Sequence, residues 1–337
     1  MLNAAIIGFG GIAQAHKKGY DLLEKEGKVK LVAACDIRKE AFEKQVEINL
    51  KSDTPATTNT FHQYTNLDEM LANESIDFVD ICVPTYLHSE LAVKMLNLGY
   101  HVLSEKPMSL STQACIPMLE AEKTSGKHLM IAQCLRFFPE YEYLKECIDE
   151  NRFGKVLSAF FSRLSTPPLW GWQNWFMNPE LSGGCITDLH IHDIDIVRYL
   201  FGEPEAVSCR ASHSVSAYDT VQTALFYGGT PITAVGDWTL SKMTFSASYR
   251  VDFEGATVCY ENGKVTVYPK NEQNAFSPDI PKISGYAAEI SYFCDVISGK
   301  TENLKNPASS AARSIQLIEA MKLSADQDGE KIKFEFA

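Results

Sequence analysis

The feature that most restricts the fold is a short apolar run that stops at glycines and opens a helix. Residues 4–7 lead into Gly8-Phe9-Gly10-Gly11-Ile12-Ala13, a G-x-G-x-x-A loop. Residues Ile12–Glu26 then read as a helix, with Ile12, Ala15, Leu22 and Leu23 on its apolar side. The first glycine permits a tight turn, the second lets the backbone approach a pyrophosphate, and the small Ala13 lets the helix pack on the strand. An anion would sit on the helix N-terminus, where free N–H groups and the helix dipole favour it.

The pattern that follows fits this start. Apolar runs Leu31–Cys35, Phe78–Val83, Tyr100–Ser104 and His128–Ala132 alternate with helical segments at about Glu40–Leu50, Ser89–Leu98 and Ser111–Ser125, the last two closed by Gly99 and Gly126. Lys51–Thr60 is polar, holds Pro55 and reads as a loop. Strands that are apolar on both faces and separated by helices demand right-handed crossovers and a parallel sheet covered on both sides. Residues 1–135 are therefore predicted to form a doubly wound α/β Rossmann domain that binds a dinucleotide. Asp36 ends the second run, 23 residues after Ala13. A carboxylate there can accept both ribose hydroxyls and repel a 2′-phosphate, which favours NAD. Arg38, two residues on, can accommodate that phosphate and keeps NADP open.

At roughly 150 residues per domain, 337 residues suggest two. From residue 136 onward the strand-like segments crowd together: Val156–Arg163, Ala206–Ser214, Thr220–Phe226, Ile232–Leu240, Ser246–Glu254, Thr257–Tyr260 and Lys264–Tyr268. Glu261-Asn262-Gly263 is a hairpin signal. Residues 136–337 are thus predicted to form an α+β domain with a large, open, mostly antiparallel sheet. Helices are predicted at Ile186–Leu200, Ala287–Ser298 and Ala308–Gln327, the last packing back on the first domain.

The net charge of −12, with a pI near 5.2, works against a nucleic-acid partner. The nine cysteines show no C-x-x-C spacing and lie mostly in apolar stretches, which points to reduced thiols and a cytoplasmic setting. The first apolar run ends at Gly8, too soon for a signal peptide, and no run is long enough for a membrane span.

Three further places carry chemistry. Val83-Pro84-Thr85-Tyr86-Leu87-His88 and Glu105-Lys106-Pro107 both follow parallel strands, and ligands bind at strand carboxyl ends. Pro84, Thr85, His88, Glu105 and Lys106 are therefore candidate cofactor contacts. Arg136 lies beyond the next strand and is a candidate for a cofactor phosphate or for tying the domains together. The third place is Gly183-Gly184-Cys185-Ile186-Thr187-Asp188-Leu189-His190-Ile191-His192-Asp193-Ile194-Asp195. Read as a helix, Asp188, His192 and Asp195 share one face, and a carboxylate one turn from a histidine makes a general base. On a helix His190 and His192 point about 200° apart and do not share an ion, so no metal is expected. The stretch 170–176 holds three of the four tryptophans; Trp172 is a candidate to stack on a sugar ring, and simple core packing is the other reading.

The glycine loop, Glu105-Lys106-Pro107, Arg136-Phe137, Gly183-Gly184…Asp188…His192…Asp195 and Gly285-Tyr286…Glu289…Phe293 together resemble the Gfo/Idh/MocA family, which includes glucose-fructose oxidoreductase and inositol dehydrogenase. The resemblance covers essentially the whole chain. It implies a nicotinamide-dependent oxidoreductase that transfers hydride between NAD or NADP and a secondary alcohol or ketone of a sugar, cyclitol or related diol. It also implies a homodimer or homotetramer assembled through the second domain's sheet. By the same resemblance Lys106, Asp188 and His192 are catalytic; with Trp172 of the aromatic stretch and Tyr286 they are the candidate substrate contacts. His190 stands where glycine is common in the family, and Cys134 where asparagine is common; both bear on the substrate pocket. Two other functions fit the same features: a sensor that binds dinucleotide or sugar without turnover, and an enzyme whose tightly held NAD oxidises its substrate only transiently.

Overall fold

A computed structural model describes residues 1–43, 60–271 and 274–333. The chain opens with β1 (Leu2–Ile7), α1 (Gly11–Lys25), β2 (Val29–Cys35), β3 (His62–Tyr64), α2 (Leu67–Asn73), β4 (Phe78–Ile81), α3 (His88–Asn97), β5 (His101–Glu105), α4 (Thr112–Ser125) and β6 (Leu129–Ala132). It continues with α5 (Pro139–Asp149), β7 (Val156–Leu164), α6 (Pro179–Ser182), α7 (Cys185–Asp188), α8 (Ile191–Phe201), β8 (Ala206–Ser212), β9 (Thr220–Tyr227), β10 (Thr230–Asp237), β11 (Ser246–Phe253), β12 (Ala256–Glu261) and β13 (Lys264–Pro269). It ends with α9 (Gly285–Ile297), α10 (Ala308–Asp326) and β14 (Ile332–Lys333). Two compact units result: Met1–Phe137 with Ile283–Ala312, and Phe138–Lys282 with Arg313–Ala337.

The first unit is a parallel sheet in the order β3-β2-β1-β4-β5-β6. Ile6, Phe78, Val79, Leu103 and Met130 have no exposed surface, because helices cover both sheet faces. Local chemistry sets the helix ends. Asn66 accepts the Glu69 N–H at 3.0 Å to start α2, Ser111 accepts the Ala114 N–H at 3.2 Å to start α4, and Gly126 (φ 66°) closes α4.

The second domain does not run uninterrupted from residue 136. Ile283–Ala312 belongs with the first unit, where α9 packs on α1. The contact is close at Gly19, where a Cβ would meet Ile290 at 3.2 Å and Ala287 at 3.3 Å. Phe293 meets Phe78 edge-on at 5.4 Å, so the returning helix completes the core beside β4. Of α10, only Ala308–Ala312 groups with the first unit. In the second, the Ser324 hydroxyl accepts the Cys209 N–H at 2.8 Å.

The second unit holds eight strands in the order β13-β12-β11-β7-β10-β9-β8-β14. β7 and β10 pair in parallel, and the other described pairs are antiparallel. Buried Ile232 and Ala234 alternate with exposed Pro231 and Thr233, the pattern of a sheet packed on one face. Asn262 (φ 53°) and Gly263 (φ 75°) turn β12 into β13 at the predicted hairpin.

Several elements differ from expectation. β3, α2 and α5 escape the sequence pattern because β3 is short and polar and the helices begin in mixed segments. Of the predicted Glu40–Leu50 helix, a 3-10 turn over Lys39–Phe42 is described; the remainder, and the predicted loop through residue 59, lie outside the described residues. The single helix predicted over Ile186–Leu200 is two, α7 and α8. At their junction the His190 N–H reaches back five residues to the Cys185 carbonyl, one more than regular α-helix allows. No helix among the described residues is long and apolar enough to cross a membrane.

Candidate functional site

Gly8 sits at φ 89°, and a Cβ there would come within 2.7 Å of Val83 Cγ1 and 2.8 Å of the Cys82 carbonyl. Only glycine fits this turn. The Gly8 N–H donates to the Cys35 carbonyl at 2.8 Å, and the Phe9 N–H donates to Asp36 Oδ2 at 2.9 Å. The Phe9 ring itself is buried, packed 5.2 Å from both Phe42 and Phe61, so Phe9 offers the loop only its backbone. Ala13 is fully buried under the loop and Ile12 packs at the edge of the core. Around Gly10 and Gly11 the character changes. A Cβ on Gly10 would meet nothing within 4 Å, and α1 starts with no side-chain cap. The first N–H groups of α1 thus carry no side-chain cap, and the Asp36 carboxylate stands at the end of the adjacent strand. Such a cradle fits a dinucleotide. Arg38 grips Asp36 with its own fork, Nε to Oδ1 at 3.1 Å and Nη2 to Oδ2 at 3.0 Å.

The loops after β4 and β5 stand on either side of a second histidine. Thr85 is buried beside Pro84 in a 3-10 turn that exposes Tyr86. The His88 ring is buried, its Nδ1 2.8 Å from the Pro107 carbonyl and its Nε2 2.9 Å from the Val83 carbonyl. Burial lowers its pKa, against the pull of those two carbonyls. His88 therefore braces the two loops, with each ring nitrogen at a backbone carbonyl. Between these supports lies half-buried Lys106, joined to Pro107 by a cis peptide, its N–H donating to Glu105 Oε2 at 3.1 Å. Arg136 is 3% exposed and donates to the Lys305 carbonyl and the Ser310 hydroxyl, each at 2.9 Å. It anchors the segment that returns to the first unit. Cys134, in the same 3-10 turn, is buried.

In the second unit, Gly184 (φ 77°) admits no side chain, since a Cβ would lie 2.1 Å from the Ala217 carbonyl. The close packing it permits carries the chain into α7. Asp188 ends α7 and half-buried His192 lies in the first turn of α8, so the pair spans the junction and not one turn of a continuous helix. Asp195 accepts the Ser314 hydroxyl at 2.8 Å, inside the core. Asp193 pairs with Arg163 at 2.9 Å. His190 is fully buried, its Nε2 3.0 Å from the Thr223 hydroxyl and its ring against Gly236. It packs on the sheet. In the aromatic stretch Phe176 is the buried pivot, stacked with Trp175 at 3.9 Å and edge-on to Trp170 at 4.8 Å. Trp172 is half-buried and begins a 3-10 segment in which Gln173 (φ 50°) and Asn174 (φ 55°) are left-handed.

Sequence reasoning missed a buried polar cluster in the first unit. His16 contacts Asp80 and Glu105, Tyr20 also binds Asp80, and the Tyr286 ring lies 5.5 Å from the His16 ring. Tyr286, half-buried at the start of α9, thus packs beside this histidine. The missed signal lay in the helix: Ala13, His16, Tyr20 and Leu23 share one stripe, and a histidine there is a polar residue in an apolar row.

The fold and the glycine loop define a two-unit protein whose first unit is a dinucleotide-binding Rossmann domain. Residues 2–133 match the oxidoreductase family with NAD-binding Rossmann fold, and residues 141–266 match the GFO/IDH/MocA C-terminal domain. The chain belongs to the Gfo/Idh/MocA family. It is 32% identical over 171 residues to 2,7-anhydro-N-acetylneuraminate hydratase of Escherichia coli, spanning 48% of this chain and 44% of that protein. It is 33% identical over 174 residues to scyllo-inositol 2-dehydrogenase (NADP(+)) of Bacillus subtilis, covering 50% of this chain and 53% of the relative. These matches span about half the length of each relative. Among solved structures, levoglucosan dehydrogenase in complex with NADH and levoglucosan superposes with a TM-score of 0.83 at 19% identity, over 98% of this chain and 99% of that one. This last likeness is one of fold.

Proposed function

We propose that the chain is an NAD(P)-dependent dehydrogenase acting on a secondary alcohol of a sugar, cyclitol or related diol. The observation that carries this reading is the open, uncapped start of α1 at Gly10 and Gly11, set between Asp36 and the Glu105-Lys106-Pro107 loop at the carboxyl ends of a parallel sheet. The bound cofactor supplies the hydride acceptor. Lys106 steadies the charge that develops on the substrate oxygen, commonly a large electrostatic contribution. His192 takes the hydroxyl proton, and Asp188 orients His192. Trp172 offers an aromatic face to the ring. Asp36 favours NAD: its carboxylate already holds Arg38, a neighbour suited to a 2′-phosphate. Sugar-acting relatives support the substrate class, and the second unit's sheet is the proposed surface for a homodimer or homotetramer. Nine free thiols, eight of them buried, agree with a reducing, cytoplasmic setting.

The test is reduction of NAD and NADP, followed at the nicotinamide absorbance band, over a panel of sugars and cyclitols. Lys106→Ala and His192→Ala should each lower kcat about 100-fold or more while cofactor binding persists. Near-normal turnover in His192→Ala would remove that residue from the mechanism. The relative named as a hydratase favours a second reading, in which the nicotinamide stays bound and oxidises the substrate transiently. Stoichiometric release of NADH during turnover would argue against it.

A further inference from the structure

A buried stripe of α1 carries a histidine where an apolar residue would serve. His16 has no exposed surface and lies between two carboxylates. Its Nδ1 is 2.8 Å from Asp80 Oδ2 on β4, and its Nε2 is 3.0 Å from Glu105 Oε1 on β5. The first contact is a hydrogen bond. The second is at ion-pair distance without hydrogen-bond alignment. Asp80 also accepts the Tyr20 hydroxyl at 2.9 Å and the Cys82 thiol at 3.4 Å. Two groups of α9 complete the surroundings: the Tyr286 ring and Glu289, a fully buried side chain whose carboxyl oxygens have no hydrogen-bond partner. Besides His16 itself, Arg136 is a cation near Glu289.

A neutral imidazole has one N–H, so it would turn a lone pair toward one of the two carboxylates in a water-poor interior. The imidazolium presents an N–H to each. An apolar residue with neutral partners could fill this space, often at no loss of stability, so the retained charge needs another reason. Glu105 supplies it. While one of its oxygens faces His16, the other accepts the Lys106 N–H at 3.1 Å. The same histidine stands on the helix that opens at the glycine loop.

We propose that His16 is a positioning residue for Lys106: wedged between Asp80 and Glu105, its imidazolium fixes Glu105 and, through it, the backbone that carries the lysine. The proposal rests on Lys106 being the catalytic lysine. It assigns a task to a charged group that the hydride-transfer scheme leaves unused.

The test compares two amides in the full chain. The side-chain amide of His16→Gln can reach the Nε2 position and donate to Glu105; that of His16→Asn reaches only the Nδ1 position, toward Asp80. Lysines are tagged by reductive methylation with carbon-13, and the Lys106 signal is assigned by its loss in Lys106→Arg. The signal should hold its place in His16→Gln and move in His16→Asn, with NADH affinity unchanged in both. On the sugar or cyclitol identified by the panel, kcat should fall about tenfold in His16→Asn with KM little altered, and His16→Gln should restore most of it. In a Lys106→Ala background His16→Asn should cost nothing further. Identical behaviour of the two variants, or losses that add to that of Lys106→Ala, would overturn the proposal. Normal turnover in Lys106→Ala would instead defeat the catalytic reading, and the lysine signal would still report whether His16 positions it. If neither variant folds, nitrogen-15 shifts of the His16 ring in the unaltered protein decide: a neutral ring at pH 7.5, or one bound to a stoichiometric metal, sinks the idea.

Discussion

Two histidines of this molecule have no exposed surface, and they lie in opposite charge states. His16 meets Asp80 and Glu105; His190 meets the Thr223 hydroxyl and shares its surroundings with Arg163. Burial alone disfavours the charged ring at both places. At His16 the Asp80 charge and hydrogen bond overcome that penalty and raise the pKa well above the usual imidazole value. At His190 burial acts unopposed, Arg163 adds to it, and the pKa falls to about 3. Depth in the core therefore says nothing by itself about protonation; the partners across the ring decide. The first unit has kept a charged histidine at the root of its cofactor loops, and the second has used a neutral one to pack a helix junction on a sheet.

The strongest way to break this contrast is to remove each ring. His16→Ala leaves Asp80 and Glu105 facing each other without their cation, and the expected loss is about 3–5 kcal/mol of unfolding free energy. His190→Ala leaves a cavity and a Thr223 hydroxyl that keeps only the Cys209 sulfur at 3.6 Å, for which about 1–3 kcal/mol is expected. Denaturant midpoints at pH 7 compare the two. Equal losses would mean that the His16 charge is not the main source of its contribution.

The acid limb of the stability curve sharpens the comparison next. His190 binds its proton in the unfolded chain near pH 6.5 and in the folded chain only near 3. Its depressed pKa means that stability is full above about pH 6.5 and declines as the pH falls toward 3, by about 1.4 kcal/mol per unit. His16 has the reverse sign. Its raised pKa gives stability that is complete below about pH 6.5 and is lost as the pH climbs through the folded value. His190→Gln should flatten the acid limb and leave the alkaline limb alone. An unchanged acid limb would mean that His190 is solvated and not sealed in the core.

Sequence carried the first unit much further than the second. Continuous apolar strands, the glycine turn at Gly8 and the acid at Asp36 are local signals, and each corresponds to an observed element. What the pattern could not carry was non-local. Nothing near residue 283 announces that α9 returns to α1, because the small Gly19 that admits it is more than 260 residues away. The helix break at Leu189–His190 is equally hidden. Its cause is the His190 ring, drawn toward Thr223 and Gly236 on strands still to come. The same holds for the candidate site. Gly10, Asp36 and Lys106 stand out by spacing and position, whereas the tasks of His88, Arg136 and His16 depend on carbonyls and carboxylates from other strands and helices.

The smallest effect concerns the neighbour that separates the two histidine environments most finely. Burial raises the Glu289 pKa well above the usual carboxyl value, so this side chain is neutral in the folded protein at ordinary pH. In the unfolded chain it ionises near 4.5. Unfolding therefore releases a proton, and stability attributable to this group is complete below about pH 4.5 and declines as the pH rises through the folded value. Glu289→Gln keeps the shape, cannot ionise in either state, and offers its amide N–H groups to the nearby carboxylates. It should remove that decline and raise stability at pH 7 relative to the native chain, with no gain at pH 4. Thermal unfolding of both proteins at the two pH values measures it. A destabilised Gln variant with the native pH slope would mean that Glu289 is ionised in the fold and answers the His16 charge directly, placing a third carboxylate on the imidazolium and making the cluster around α1 still less like the neutral packing around His190.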